Sequence, residues 1–237
     1  MSRNFIDRLT PDELINGVRT VEGFCLSPDG KSVAYARETK GTTQIFVAEI
    51  KDFKPEQLTD SPGSKTSLAW SPEIDQIAFV NTDQDSKGCS LCTVSLSDRS
   101  TSTMLDLDKG GIWNISWSPD GRNILFTSNS EGSLDIFTIN TDGDNLLRLT
   151  SGSEADRNPH WSPDGSRVLY YRCLGQGPFG KLEMRVVTRE GKDSKVIGPK
   201  ADRNAWGSWS PDGKSIAFVS NIRRNYHIGI LDLCDDK

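Results

Sequence analysis

One signature occurs five times along this chain: LSPDGKSVAYA from Leu26, WSPEIDQIAFV from Trp70, WSPDGRNILFT from Trp117, WSPDGSRVLYY from Trp161 and WSPDGKSIAFV from Trp209. The repeated serines, Ser27, Ser71, Ser118, Ser162 and Ser210, lie 44, 47, 44 and 48 residues apart, the length of a four-stranded propeller blade. Ser-Pro-Asp-Gly is turn chemistry. Proline presets φ at the second position, Asp bonds back to the local backbone, and Gly tolerates the left-handed region that closes a tight hairpin.

Behind each turn runs a short apolar stretch such as Val33-Ala34-Tyr35-Ala36 or Ile216-Ala217-Phe218-Val219. Its near-continuous apolarity predicts a strand buried on both faces. A third strand with clearer alternation follows, as in Gln44–Ala48, Asp135–Ile139 and Ile228–Leu231. A short fourth strand ends in Leu58-Thr59 and Leu149-Thr150, with Met104-Leu105 and Val196-Ile197 in the corresponding places. The prediction is an all-β chain, a single domain over 1–237. It is a five-bladed β-propeller of four-stranded antiparallel blades at about 18–60, 64–108, 111–150, 155–198 and 202–234. The last repeat stops after three strands, and Ile6-Asp7-Arg8-Leu9-Thr10 has the same Leu-Thr ending. The segment 5–10 is therefore expected to supply the missing strand and close the ring, since an open array would leave sheet edges and blade faces exposed.

Charged residues make up 26% of the chain with both signs interspersed, and the net charge is −5. That mixture lacks the concentrated basic face that phosphate binding needs, so nucleic acid is not an expected partner. No apolar run reaches signal-peptide or membrane-helix length. The five cysteines, Cys25, Cys89, Cys92, Cys173 and Cys234, have no framework spacing. A soluble, cytoplasmic monomer with free thiols, away from membranes, is the expectation.

The stretch WSPDGRNILFTSNSEGSLDIFTINTDGDNLLRLTSGSEADRNPHWSPDG, Trp117 to Gly165, resembles the TolB-like propeller repeats in turn, strands and Leu-Thr ending. These repeats are related in architecture to WD40 repeats and are also similar to the propeller domains of prolyl-oligopeptidase-type hydrolases. The resemblance extends over essentially the whole chain, and it speaks to fold more than to function, because one fold hosts many activities. It implies binding of partners at a channel entrance. Periplasmic TolB itself carries an extra N-terminal domain and six blades, so a Tol-Pal role does not carry over. The oligopeptidases place their catalytic triad on a separate α/β-hydrolase domain.

Catalytic signatures are not evident. There is no Gly-x-Ser-x-Gly, and the repeated serines occupy turns rather than a nucleophile elbow. Gly175 to Lys181 satisfies Gly-x4-Gly-Lys, but Leu182 follows where a phosphate-binding loop needs Ser or Thr, and Met184-Arg185-Val186-Val187 reads as a strand. Cys89 and Cys92 have zinc-ligand spacing without a second pair, and Asp83-Gln84-Asp85-Ser86 lacks the Gly and Glu of a calcium loop. No cofactor and no metal are expected.

Function is then expected where the loop entering the first strand of each repeat forms a channel rim. Reading back from each repeated serine gives Arg19 and Glu22, Lys65 and Thr66, Trp113 and Asn114, Asp156, Arg157 and Asn158 with His160, and Asp202, Arg203 and Asn204 with Trp206. These residue types make directional contacts and binding hot spots. The Asp-Arg-Asn triplet occurs twice, which repeat ancestry alone also explains. The expected function is a non-catalytic scaffold binding a protein, peptide or small polar ligand at this rim. The alternatives are the propeller portion of an oligopeptidase-like serine hydrolase and a carbohydrate-active enzyme in the channel, although Glu22, Asp156 and Asp202 form no evident acid pair.

Overall fold

The computed structural model describes residues 23–83, 88–175, 181–199, 203–222 and 225–233. Every regular element among them is a strand. The first repeat comprises β1 (Phe24–Leu26), β2 (Ser32–Thr39), β3 (Thr42–Glu49) and β4 (Glu56–Gln57). The second has β5 (Ser64–Trp70), β6 (Gln76–Thr82), β7 (Cys89–Ser95) and β8 (Thr101–Leu107). The third has β9 (Ile112–Trp117), β10 (Asn123–Ser128), β11 (Asp135–Asn140) and β12 (Leu147–Arg148). The fourth has β13 (Ala155–Trp161), β14 (Arg167–Leu174), β15 (Lys181–Thr188) and β16 (Lys195–Val196), and the fifth β17 (Arg203–Trp209), β18 (Ser215–Ile222) and β19 (Asn225–Asp232).

Strands pair in chain order within each repeat, giving three four-stranded sheets and one seven-stranded sheet. Within a repeat the strands pair antiparallel, and among the described residues a single parallel pair, Leu182 with Arg203, joins the fourth and fifth repeats. The segment 5–10 expected to close the ring lies outside the described residues, as do Arg19, Glu22 and Asp202. Lys181 opens strand β15 rather than a helix, which removes the geometry of a phosphate loop; residues 176–180 between are not described.

The turns work as their chemistry requires. Ser27, Ser118, Ser162 and Ser210 each donate Oγ–H to the Asp two residues on, at 2.7, 2.5, 2.6 and 2.6 Å. The same oxygens accept the N–H of Ser32, Asn123, Arg167 and Ser215 at 2.9 Å, so the hydroxyls are consumed by the hairpin. The accepting carboxylates titrate low: hydrogen bonds from Ser27 and Ser162 are the main cause of holding Asp29 and Asp164 at about 2.

The Leu-Thr endings also acquire a definite role. Leu58 N–H donates to the Ile45 carbonyl at 2.8 Å, while Thr59 Oγ1 accepts the Ile45 N–H at 2.9 Å. Leu149 and Thr150 clasp Ile136 in the same way, at 2.8 and 3.1 Å. Two side-chain and main-chain groups thus satisfy a third-strand residue beside a fourth strand only two residues long. Contrary to the alternation expected of them, the third strands β3, β7 and β11 are buried almost throughout. They run inside their sheets, and their polar residues, such as Gln44, are satisfied within the fold.

Close contacts divide the chain into two compact units, 1–115 and 116–237, with the seam inside β9. In the first, Ala34, Ala36, Ile45 and Leu58 of one sheet pack on Leu68, Ile77 and Phe79 of the next, with Trp70 at the margin. In the second, Leu125, Ile136 and Leu149 meet Val168, Tyr170 and Val187, while Leu169, Tyr171 and Met184 meet Ile216 and Phe218. Sheet faces meeting through apolar side chains are the source of stability in stacked repeats.

Candidate functional site

The first strand of a repeat does not alternate evenly, and that irregularity decides which side chains are available. Ser67, Asn114, Asn158 and Trp206, each four residues before the repeated serine, lie in the left-handed region with φ of 50°, 53°, 50° and 50°. The pairing register slips at Thr66/Ala69, Arg157/His160 and Ala205/Ser208. A bulge of this kind sets two residues against one, so consecutive residues can emerge on the same side of the strand.

The residues six before the serine consequently face inward. Lys65 is fully buried, its Nζ donating to the carbonyls of Ser61, Pro62 and Gly63 at 2.6, 2.6 and 2.9 Å. Burial pushes its pKa down, against the pull of Asp83. Asp156 is buried too and accepts a two-pronged ion pair from Arg172, Nε at 2.8 Å and Nη2 at 2.7 Å, which raises the Arg172 pKa further. Asn204 is buried and donates Nδ2–H to the Pro199 carbonyl at 2.9 Å. Lys65, Asp156 and Asn204, expected among the rim contacts, are thus buried and held by partners within the fold, as desolvation of a polar group requires. Ile112, the apolar member of the same column, is buried with them.

In the first unit, Thr66 is half-buried and Trp113 is 44% exposed. The Trp113 indole lies over Gly111, where a Cβ would meet the ring at 2.4 Å, so this tryptophan is seated on bare backbone. Asn114 is exposed. That unit also holds a cavity of about 390 Å³ floored by Val47, Leu58, Trp70 and Leu96, with the Arg99–Glu56 ion pair of 3.1 Å in its wall. It includes none of the residues expected at the channel rim.

In the second unit, Arg157, Asn158, His160, Trp206 and Ser208 all present exposed surface from β13 and β17. Trp209 Nε1–H of β17 donates to the His160 carbonyl of β13 at 3.4 Å, and the Gly207 N–H donates to the Tyr171 hydroxyl of β14. A Cβ at Gly207 would strike that hydroxyl, so the close approach depends on glycine. No hydrogen bond or ion pair engages the side chains of Arg157, Asn158, His160 or Ser208 among the described residues. Surrounding protein strips water from His160 and lowers its pKa, which keeps the imidazole neutral at pH 7. Of Arg203 the backbone pairing is described, in register with Asn221. Sequence reasoning missed Ser208 and Ser116. Both occupy the His160 position, two before the repeated serine, and superposing the five repeats would have found them.

Burial raises the thiols of Cys89 and Cys92, which contact the Gly110 carbonyl and the Thr103 hydroxyl within the fold. Among the described residues no cluster of three His, Cys, Asp or Glu side chains is spaced to hold a metal ion.

Residues 69–237, most of the chain, match the model of the TolB beta propeller domain. The chain belongs to this family. Relatives in sequence include an uncharacterised protein of Agrobacterium fabrum, 26% identical over 221 residues that span 89% of this chain and 74% of the relative. Dipeptidyl-peptidase 5 of Porphyromonas gingivalis is 27% identical over 227 residues, 90% of this chain but only 31% of the peptidase. Among solved structures, TolB from Acinetobacter baumannii aligns with a TM-score of 0.64 at 18% identity, over 90% of this chain and 52% of that one, a likeness of fold. Membership of the propeller family speaks to the fold and leaves the exposed faces of β13 and β17 to be explained separately.

Proposed function

We propose that this chain is a non-catalytic binding scaffold whose exposed β13–β17 face receives a protein or peptide segment. The observation that carries the reading is that these two first strands, joined by the Trp209–His160 contact, place the side chains of Arg157, Asn158, His160 and Ser208 on exposed surface without hydrogen-bond or ion-pair partners among the described residues, with a 69% exposed Trp206 on the second of them. Arg and Trp are the residue types in which binding energy concentrates. In this reading the five repeats are five blades of one ring closed by residues 5–10, and the face belongs to its channel rim. The chain acts as a cytoplasmic monomer without a cofactor. A pull-down from native lysate with the intact chain and with an R157A/W206G variant of unchanged melting temperature tests it. Selective loss of the same partners from the variant supports the reading, and identical profiles overturn it.

The similarity to dipeptidyl-peptidase 5 over 90% of this chain favours a second reading, in which the propeller serves a serine hydrolase whose chemistry lies on another domain. Purification of the native protein followed by labelling with an active-site serine probe separates the two. Labelling of a species containing this chain selects the hydrolase, and no labelling selects the scaffold.

A further inference from the structure

Arg157 sits one residue after an aspartate, and the obvious assumption is that the two neutralise each other. They do not. Asp156 is turned into the sheet and held by Arg172 through two hydrogen bonds of 2.8 and 2.7 Å. The other acid at the entry to β13, Glu154, accepts from the Gly175 N–H at 3.4 Å. Arg157 is left exposed, with no carboxylate within ion-pair distance among the described residues. A guanidinium offers five N–H donors in a fixed planar fork, and its geometric complement is a carboxylate.

Its neighbours share this donor character. The bulge that turns Asp156 inward brings Asn158 out beside Arg157, adding an amide with two N–H donors. At the equivalent position of β17, the first strand of the next repeat, stands Trp206, an exposed apolar plate in a backbone conformation that bulky residues rarely adopt. Two residues before the repeated serine lie His160 on β13, Ser208 on β17 and, in the third repeat, Ser116 on β9, whose Oγ is buried without a hydrogen-bond partner among the described residues. The face is rich in donors, has one uncompensated positive charge and one aromatic surface, and contains no free acid among the described residues.

We infer that the Arg157–Asn158–Trp206 face takes a carboxylate borne on a peptide, Arg157 and Asn158 gripping the oxygens while the adjoining residue packs on the Trp206 indole. The inference rests on the peptide-binding reading above and narrows it to a ligand chemistry. A C-terminal carboxylate and a Glu side chain supply the same group, and the test tells them apart.

The full chain is titrated with three short probes while the side-chain N–H resonances of Arg157 and Trp206 are followed by NMR. The probes are acetyl-Ala-Leu-Ala with a free C-terminal carboxylate, the same peptide amidated, and acetyl-Ala-Glu-Ala-amide. Saturable shifts at both residues are expected with at least one carboxylate probe, at least about tenfold tighter than with the neutral amide, as the loss of a charge-assisted bidentate contact implies. Whichever carboxylate probe binds more tightly identifies the source. R157Q is expected to remove the preference, R157K to retain part of it, and added salt to weaken it. Equal binding of the amidated and free peptides overturns the carboxylate assignment while leaving peptide binding intact. Absence of saturable shifts at Arg157 and Trp206 with both carboxylates overturns it outright, whatever the pull-down returns.

Discussion

Replacing Trp206 in turn by Ala, Asn and Gly separates what its backbone costs from what its ring does. The side chain is 69% exposed, so the three variants forfeit nearly the same small buried area. What differs is the fit to φ 50°. A left-handed conformation costs a residue with a Cβ about 1–2 kcal/mol, Asn rather less, and Gly nothing. In an ordinary extended strand Gly lies about 0.5–1 kcal/mol below Ala. At position 206 the order should therefore invert, with W206G more stable than W206A by up to about 1.5 kcal/mol and W206N between them. For a chain of this size that is a separation of about 2–4 °C in Tm per kcal/mol, measurable by thermal or urea unfolding. Ser208, two residues on and in regular register opposite Ala217, is the internal control, where S208A should exceed S208G. Trp206 itself is expected to bear the same backbone cost as W206A. W206G should thus lose peptide binding without losing stability beyond its small buried area, as a residue retained for contact requires. W206A at least as stable as W206G would refute the left-handed bulge as a source of strain and with it the argument for a functional Trp206.

Three further outcomes follow from other contacts. R172M should destabilise the protein by about 3–5 kcal/mol in urea unfolding, because it leaves the Asp156 carboxylate buried without its partner; a loss under about 1 kcal/mol would show that the pair is not structural. T59V and T150V should each cost about 1–3 kcal/mol, since Val keeps the shape but strands the buried N–H of Ile45 or Ile136, whereas T103V, at a weak thiol contact, should cost less. Asp29 and Asp164 titrate at about 2 in the fold, below their unfolded value, so they stabilise the native state above that value and lose the contribution as pH falls from about 4 to about 2. The denaturation midpoint should drop across that window, and D164N should flatten the drop.

Legibility followed how local the chemistry is. Ser-Pro-Asp-Gly carries its own geometry, so turns, second strands and repeat period could be read directly. The Leu-Thr pair was visible as a pattern, and its reason, a clasp on one residue across the sheet, needed coordinates. The rim was harder. Nothing in Asp156-Arg157-Asn158 as a string states that the first faces Arg172 and the next two face outward, because the bulge resets the alternation midway along β13. The bulge residues Ser67, Asn114, Asn158 and Trp206 are not glycines, so the usual mark of a left-handed position was missing. One signal was present and unused: the column containing Lys65, Asp156 and Asn204 also contains Ile112. An apolar member marks a column as inward-facing, which makes its polar members candidates for internal pairing.

The same columns show how a repeated framework makes room for a specific surface. Positions that build the sheets are satisfied within the fold: serine with aspartate in four repeats, threonine with a third-strand amide in two, and an inward polar residue with backbone carbonyls or an ion-pair partner. A side chain in such a column cannot vary without stranding its partner. At β13 and β17 the bulge is held by backbone pairing on either side of it, and the side chains of Arg157 and Asn158 at the outward positions of β13 carry no such internal pairing among the described residues. The corresponding positions differ among repeats: Thr66, Trp113, Arg157 and Ala205 occupy one position, while Ser67, Asn114, Asn158 and Trp206 occupy the next. Ser and Asn suit a left-handed backbone, whereas Trp does not, so Trp206 is the member of its column that local stability does not explain. The cost of keeping it there, beside an arginine whose neighbouring aspartate is already committed, is the strongest physical reason to place binding on this face.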